Sequence, residues 1–276
     1  MTNSAISDDY ILPFQIETSG ARGRLIRLGP AITQILDQHD YPEAVSRLLG
    51  EALVLTAMLG ASLKIDGQFI FQASSEGPVR LVVAQYHTSG NLRGYASFDR
   101  DAFPTESVKS QKTLEDAKDI EDTGPLLQGG TLVMTIDQGP DTDRYQGVVA
   151  LQDGDLTSAT DLYFKQSEQI PTFIRVAVAR QYQVLKDSKS GTWSWRAGGL
   201  MVQKLTHEGG ASGHDAAGAE DADVEEAWER AKMFASTVED YELLEPALSA
   251  ENLLYRLFNE ERVRVFPETP LKAFCH

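Results

Sequence analysis

YPEAVSRLLGEALVLTAMLGASL, residues Tyr41 to Leu63, is the stretch that decides the fold. Its pattern predicts a helix with a marked start. Asp40 is placed to cap the first turn, Pro42 sits where a missing N–H costs little, and Glu43 favours the positive end of the helix dipole. Arg47 and Glu51, four apart, are expected to pair across one turn. From Ala52 to Leu63 there is no charge and apolar residues surround the helix axis, which is the pattern of a helix buried on every side. Ala52, Ala57, Gly60, Ala61 and Ser62 are small enough for sheets or helices to approach closely. The rival is a membrane span, but the uncharged run falls short of the roughly 20 residues a bilayer needs. A core helix with sheet around it is expected.

A chain of 276 residues has length enough to bury a sizeable core, and is expected to hold one large domain plus an appendage. Its 41 acidic and 25 basic residues leave a formal charge of −16. That balance argues against nucleic acid as a partner, because phosphate backbones are bound by clustered Lys and Arg. The opening MTNSAISDDYILPF lacks a basic segment followed by an apolar run, so a cytoplasmic location and no membrane partner are expected. One cysteine, Cys275, excludes a disulfide framework and a multi-cysteine metal site within this chain.

Working outward from the helix, residues Ile11 to Leu28 alternate apolar and polar positions around Ser19-Gly20, which predicts strands. Arg22, Arg24 and Arg27 are interleaved there; an anion site is the rival reading, and a solvated strand face is the one expected. Pro30 to His39 reads as a short amphipathic helix. After Asp66-Gly67 come three runs of period two, Gln68–Ala73, Val79–Tyr86 and Leu92–Phe98, an antiparallel meander. Residues 99–124 are polar and read as a long mobile loop. Strands are expected at Thr131–Asp137, Tyr145–Gln152, Thr172–Ala179, Gln181–Leu185 and Leu200–Leu205, with a helix from Leu156 to Gln169. Aspartates 137, 141, 143, 153 and 155 lack calcium-loop spacing and are read as turn formers. Thr206 to Asp223 is rich in Gly, Ala and acids, the composition of a flexible linker, and its His207 and His214 are weak metal candidates without thiols nearby. Beyond it Val224, Ala227, Trp228, Ala231, Phe234, Ala235 and Val238 recur at helical spacing. Ser249 is expected to cap a second helix, and Val263–Phe266 to form a strand.

Catalytic constellations are absent: there is no phosphate loop, no nucleophile elbow, no HExxH zinc helix and no strand-to-helix GxGxxG. The order of local motifs leads further. They are Ala21-Arg22-Gly23, His39-Asp40-Tyr41-Pro42, Leu63-Lys64-Ile65-Asp66-Gly67, Gly77-Pro78, Leu92-Arg93-Gly94, Tyr145-Gln146-Gly147-Val148-Val149, Tyr163-Phe164-Lys165-Gln166-Ser167-Glu168-Gln169, Pro171-Thr172, Ala197-Gly198-Gly199 and Tyr255-Arg256-Leu257. In that order and spacing the chain resembles the 33 kDa heat-shock chaperonins (heat shock protein 33 family), redox-regulated holdase chaperones of bacteria. The resemblance implies an α+β fold, with two antiparallel-rich sheets and helices enclosing a buried central helix, then a helical linker region. The expected division is a core at 1–205 around helix 41–63, a flexible linker at 206–221, a helical linker domain at 222–266, and the start of a zinc-binding redox-switch domain at 267–276.

In that family a zinc domain built on Cys-x-Cys and a later Cys-x-x-Cys follows. Cys275-His276 matches the first two positions, which makes Cys275 the sole candidate zinc ligand and redox thiol. A structural zinc takes four ligands, zinc binding folds such a module, and oxidation of its thiolates to disulfides releases the metal and uncovers apolar surface. One cysteine supplies none of this, so no zinc is expected in this chain, and the chain is expected to be a truncated form.

The implied function is an ATP-independent, non-enzymatic chaperone that holds unfolded or partly folded client proteins by apolar surface and forms a homodimer when active. Trp228, Phe234, Val238, Leu243 and Leu244 are the candidate client-binding or masking surface, expected to be docked on the core. The alternatives are an enzyme with a pocket beside the buried helix, for which Arg22, Arg24, Tyr163 and Glu168 are first suspects, and a scaffold that binds a folded partner.

Overall fold

The computed structural model describes residues 8–63, 66–103, 124–139, 142–151, 153–184, 191–205 and 217–274. In chain order, β1 (Tyr10–Ile16) and β2 (Arg22–Leu28) lead to α1 (Pro30–Leu36) and α2 (Glu43–Gly60). A meander follows, β3 (Gln68–Ser74), β4 (Val79–His87) and β5 (Asn91–Phe98), then β6 (Thr131–Asp137) and β7 (Tyr145–Ala150). Helix α3 (Leu156–Tyr163) runs into a π-helical turn over Phe164–Glu168, and the long hairpin β8 (Thr172–Val184) and β9 (Gly191–Gln203) comes next. Helices α4 (Ala217–Ser236), α5 (Asp240–Leu244) and α6 (Ala250–Phe258) precede the short strands β10 (Val263–Val265), β11 (Thr269–Pro270) and β12 (Lys272–Ala273).

Two six-stranded sheets result. The first has the order β10-β1-β2-β9-β8, with β11 also on β1; the second is β12-β5-β4-β3-β6-β7. All pairings are antiparallel except β12 on β5. Helix α2 lies between the sheets and packs on both, so Val45 to Leu59 is inaccessible on every side apart from the polar edge at Arg47 and Glu51. No described helix is long and apolar enough to cross a membrane.

Two local expectations about α2 are corrected. Pro42, not Asp40, holds the cap position, and no side chain caps the first turn. Arg47 pairs backwards with Glu43, at 2.9 Å, and donates to Val178 O. Glu51 instead accepts from Thr157 Oγ1 at 2.8 Å, because its side of α2 faces α3. Burial is the main cause that raises the Glu51 carboxyl to a pKa of about 7.

Other boundaries also shift. The strands expected at Thr172–Ala179 and Gln181–Leu185 are one 13-residue strand, and the strand expected from Leu200 begins at Gly191, since sheet pairing on both sides of β9 outweighs weak glycine propensity. Helix α4 begins at Ala217, seven residues before its first expected apolar position. Asp155 caps α3, and Asp137 accepts from Gly139 N and pairs with Arg144, as turn chemistry requires. Much of the expected 99–124 loop, and residues 206–216 of the expected linker with His207 and His214, lie outside the described residues.

The C-terminal segment is unanticipated. Leu271 N donates to Asp9 O and Phe274 N to Leu92 O, so residues 269–274 pass from the edge of the first sheet to the edge of the second, with Leu271 buried between them.

Candidate functional site

The first sheet is apolar on both faces. Strand alternation sends Ile11, Ile26, Leu28 and Met201 toward α2, and Tyr10, Leu12, Phe14, Ile16, Leu25, Leu200 and Val202 the other way. A second apolar face cannot be left in water, and α4, α5 and α6 cover it. Trp228, Ala231, Ala235, Val238, Leu243, Leu253, Leu254, Leu257 and Phe258 bury themselves there, and Phe258 stacks on Phe14 at 5.7 Å between ring centres. The five candidate surface residues are thus brought into one cluster: Trp228, Val238 and Leu243 are buried, Phe234 and Leu244 half-buried against it.

Polar contacts at this interface centre on α5. Arg27, 2% exposed, donates from Nη2 to Glu242 O at 2.8 Å and from Nη1 to Glu245 O. Arg196 donates from Nε to Leu244 O at 2.6 Å and pairs with Asp8 at 2.8 Å. The last carbonyls of a helix lack intrahelical partners and carry partial negative charge, and here two guanidinium groups satisfy them. Burial holds Arg27 below the usual arginine range. Desolvating a charge costs several kcal/mol, so this latch orients α5 more than it adds net stability. Around it, Glu242 closes a capping box and accepts from Arg256 at 2.6 Å. Glu261 accepts from Arg230 at 2.6 Å and from Thr18; burial opposes ionisation of Glu261, but these bonds outweigh it and its pKa is lowered.

A solvated face for Arg22, Arg24 and Arg27 is therefore a misreading. Arg27 is the latch, and Arg22 and Arg24 point to the opposite side of β2, between the sheets. The signal was available: Arg27 lies inside Leu25-Ile26-Arg27-Leu28, where neighbours on both faces are apolar. Arg196, beside Trp195 and Ala197, carries the same signal.

Of the enzyme suspects, Arg22, Tyr163 and Glu168 line one cleft near the end of α2, together with Leu59, Phe69, Ile170 and Gln203. Tyr163 Oη donates to Glu168 Oε1 at 2.8 Å, and burial first, then that bond, raise the Tyr163 hydroxyl pKa. Arg24 neighbours Arg22 on the strand; burial, then the Arg22 charge, bring it down to about 10.

Cys275 and His276 lie outside the described residues. Among the described residues no three His, Cys, Asp or Glu side chains converge to hold a metal ion, so they do not by themselves fit a zinc site.

Comparison with known proteins agrees with this architecture. A family model described as Hsp33 protein matches residues 9–276. A 33 kDa chaperonin of Caulobacter vibrioides is 43% identical over 273 residues, which are 99% of this chain and 82% of the relative. A 33 kDa chaperonin of Methylobacillus flagellatus is 31% identical over 97% of this chain and 77% of its own length. The crystal structure of the 33 kDa chaperonin from Thermotoga maritima superposes with a TM-score of 0.67 at 20% identity, covering 96% of this chain and 80% of that one.

Proposed function

The chain belongs to the Hsp33 family, a family of chaperones and not of enzymes, and from that premise we propose that it is an ATP-independent holdase whose client surface is the face of the first sheet beneath α4–α6. One observation carries this reading. Tyr10, Leu12, Phe14, Leu25, Leu200 and Val202 form a continuous apolar face whose cover comes from the C-terminal helices. A client segment exposing apolar side chains would replace that cover, gaining stabilisation of about 25 cal/mol per Å² of apolar surface taken from water. The cover suits reversible release. Its latch to Arg27 and Arg196 returns little net energy, because both guanidinium groups regain water when α5 leaves.

A dimeric active form and a cytoplasmic location belong to the same proposal and rest on the family resemblance, which also implies redox control through a zinc–thiolate site that one cysteine cannot complete. The residue that would begin the thiol switch, Cys275, directly follows Phe274, whose N–H is bonded to β5. Displacement of that segment would therefore pull on the edge of the core.

The test is suppression of aggregation of a denaturant-unfolded client without ATP, in the parent and in a Trp228→Ala/Phe234→Ala double variant. The variant is expected to bind more hydrophobic dye, keep its α2 core, and hold client as well as or better than the parent. Loss of holding with the core intact would instead make α4 itself the binding element.

A further inference from the structure

The two buried arginines, Arg27 and Arg196, hold carbonyls and a carboxylate, although Nε of Arg27 has no hydrogen-bond partner. The half-buried Arg22 and Arg24 are less well satisfied among the described residues. Nε of Arg22, and Nε and Nη1 of Arg24, are buried with no hydrogen-bond partner. Gln203, 1% exposed and lining the same cleft as Arg22, reaches Thr172 Oγ1 from Nε2 at 3.5 Å, while its Oε1 has no partner. Buried donors and acceptors left unpaired each cost about 1–3 kcal/mol, so three side chains at one place mark a site built for something else. The cleft holds a cavity of about 100 Å³ that opens to solvent, and Leu59, Leu63, Phe69, Met134, Ile136 and Phe164 make its walls apolar.

The chemistry narrows the occupant. Paired guanidinium groups ask for an anion. A polyanion such as phosphate is disfavoured by the Glu168 carboxylate lining the same cleft and by the chain's net charge of −16. The apolar walls ask for an apolar body, and the unpaired Gln203 carbonyl asks for a donor. We propose that this cleft binds an apolar monocarboxylate with an adjacent N–H, the chemistry of an N-acyl apolar amino acid, either free or as the C-terminal residue of a polypeptide. The carboxylate sits on Arg22 with Arg24 behind it, the N–H donates to Gln203 Oε1, and the side chain lies against Leu59 and Phe69. Capture of a chain end by its carboxylate is a known mode of peptide recognition.

Calorimetric titration of the 276-residue chain with N-acetyl-phenylalaninate and with its uncharged amide tests this directly, whether or not the chain holds clients. The acid is expected to bind at least about tenfold more tightly than the amide. Arg22→Met should remove that preference, and Gln203→Leu should weaken the acid, with thermal melts confirming that both variants fold. An unstructured peptide ending in a free Phe carboxylate distinguishes the sources: its competition with the acid identifies a chain end, and its exclusion identifies a free acylamino acid. Equal binding of acid and amide, an Arg22→Met variant that keeps the preference, or no heat with the parent at about 10 mM acid would overturn the assignment.

Discussion

Two adjacent glycines of β9 face opposite ways and allow the cover to be lifted without touching the core. A Cβ at Gly198 would lie 2.4 Å from Leu243 O and 3.1 Å from Leu243 C, both backbone atoms of α5. An ordinary carbon–oxygen contact is about 3.3 Å, so Gly198→Ala requires α5 to retreat by about 1 Å. The same segment is held by Arg27 to Glu242 O at 2.8 Å and by Arg196 to Leu244 O at 2.6 Å. A retreat of that size carries both bonds to roughly 3.7 Å, beyond hydrogen-bonding range. Overpacking costs about 1–3 kcal/mol and a lost bond to a charged donor about 1.5–3 kcal/mol. Partial relaxation of β9 offsets some of this, and weakening of α5 docking by about 2–4 kcal/mol is expected, roughly a hundredfold shift toward the undocked state.

The matched control is Gly199→Ala, whose Cβ would meet Val54 Cγ1 at 2.6 Å and Met58 Cε at 2.8 Å, inside the α2 core. Amide hydrogen exchange and dye binding separate the two. Gly198→Ala should lose protection over 240–258, bind more dye and hold more client, with α2 amides still protected. Gly199→Ala should lower the melting temperature and loosen α2 without that selective opening. Unchanged protection over 240–258 in Gly198→Ala, or opening that abolishes client holding, would refute the masking mechanism.

Arg27→Met leaves the Glu242 carbonyl without its guanidinium donor and Glu245 O with Leu248 N alone, and should weaken α5 docking by about 2 kcal/mol, read by hydrogen exchange over 240–245. Glu51 carries a folded pKa near 7 against an ordinary 4.5, so the folded state holds its proton more tightly. That stabilisation is complete below pH 4.5 and is lost as pH rises to about 7, with an upper bound of about 3 kcal/mol. Glu51→Gln should therefore flatten the fall in melting temperature across that window; an unchanged profile would contradict the burial of Glu51. Client holding by the 276-residue chain, with Cys275 as its single cysteine, should not change between dithiothreitol and peroxide once the chain is kept monomeric. A gain on oxidation in the monomer would oppose that expectation.

What could be read in advance divides along physical lines. Helix α2 was legible because twelve residues without charge have no partially exposed solution in a globular chain, and the meander because Asp66-Gly67 and Ser89-Gly90 punctuate clean period-two runs. The stripe from Trp228 to Val238 was legible for the same reason, since amphipathicity reports that a face is covered. It does not report by what. The partner face is assembled from β1, β2, β8 and β9, four segments spread from Tyr10 to Gln203, and only the tertiary structure shows that one sheet presents apolar rows on both sides. The arginines failed for a related reason. Alternation assigns Arg22 and Arg24 to one face of β2 and Arg27 to the other, yet a polar residue on a strand is solvated only where nothing packs on that face. In a sheet covered on both sides each arginine needs a donor's counterpart inside the protein. Arg27 has counterparts for both terminal nitrogens in the carbonyl end of α5; among the described residues Nε of Arg22 and Nε and Nη1 of Arg24 have none, and that difference separates a structural latch from a binding site.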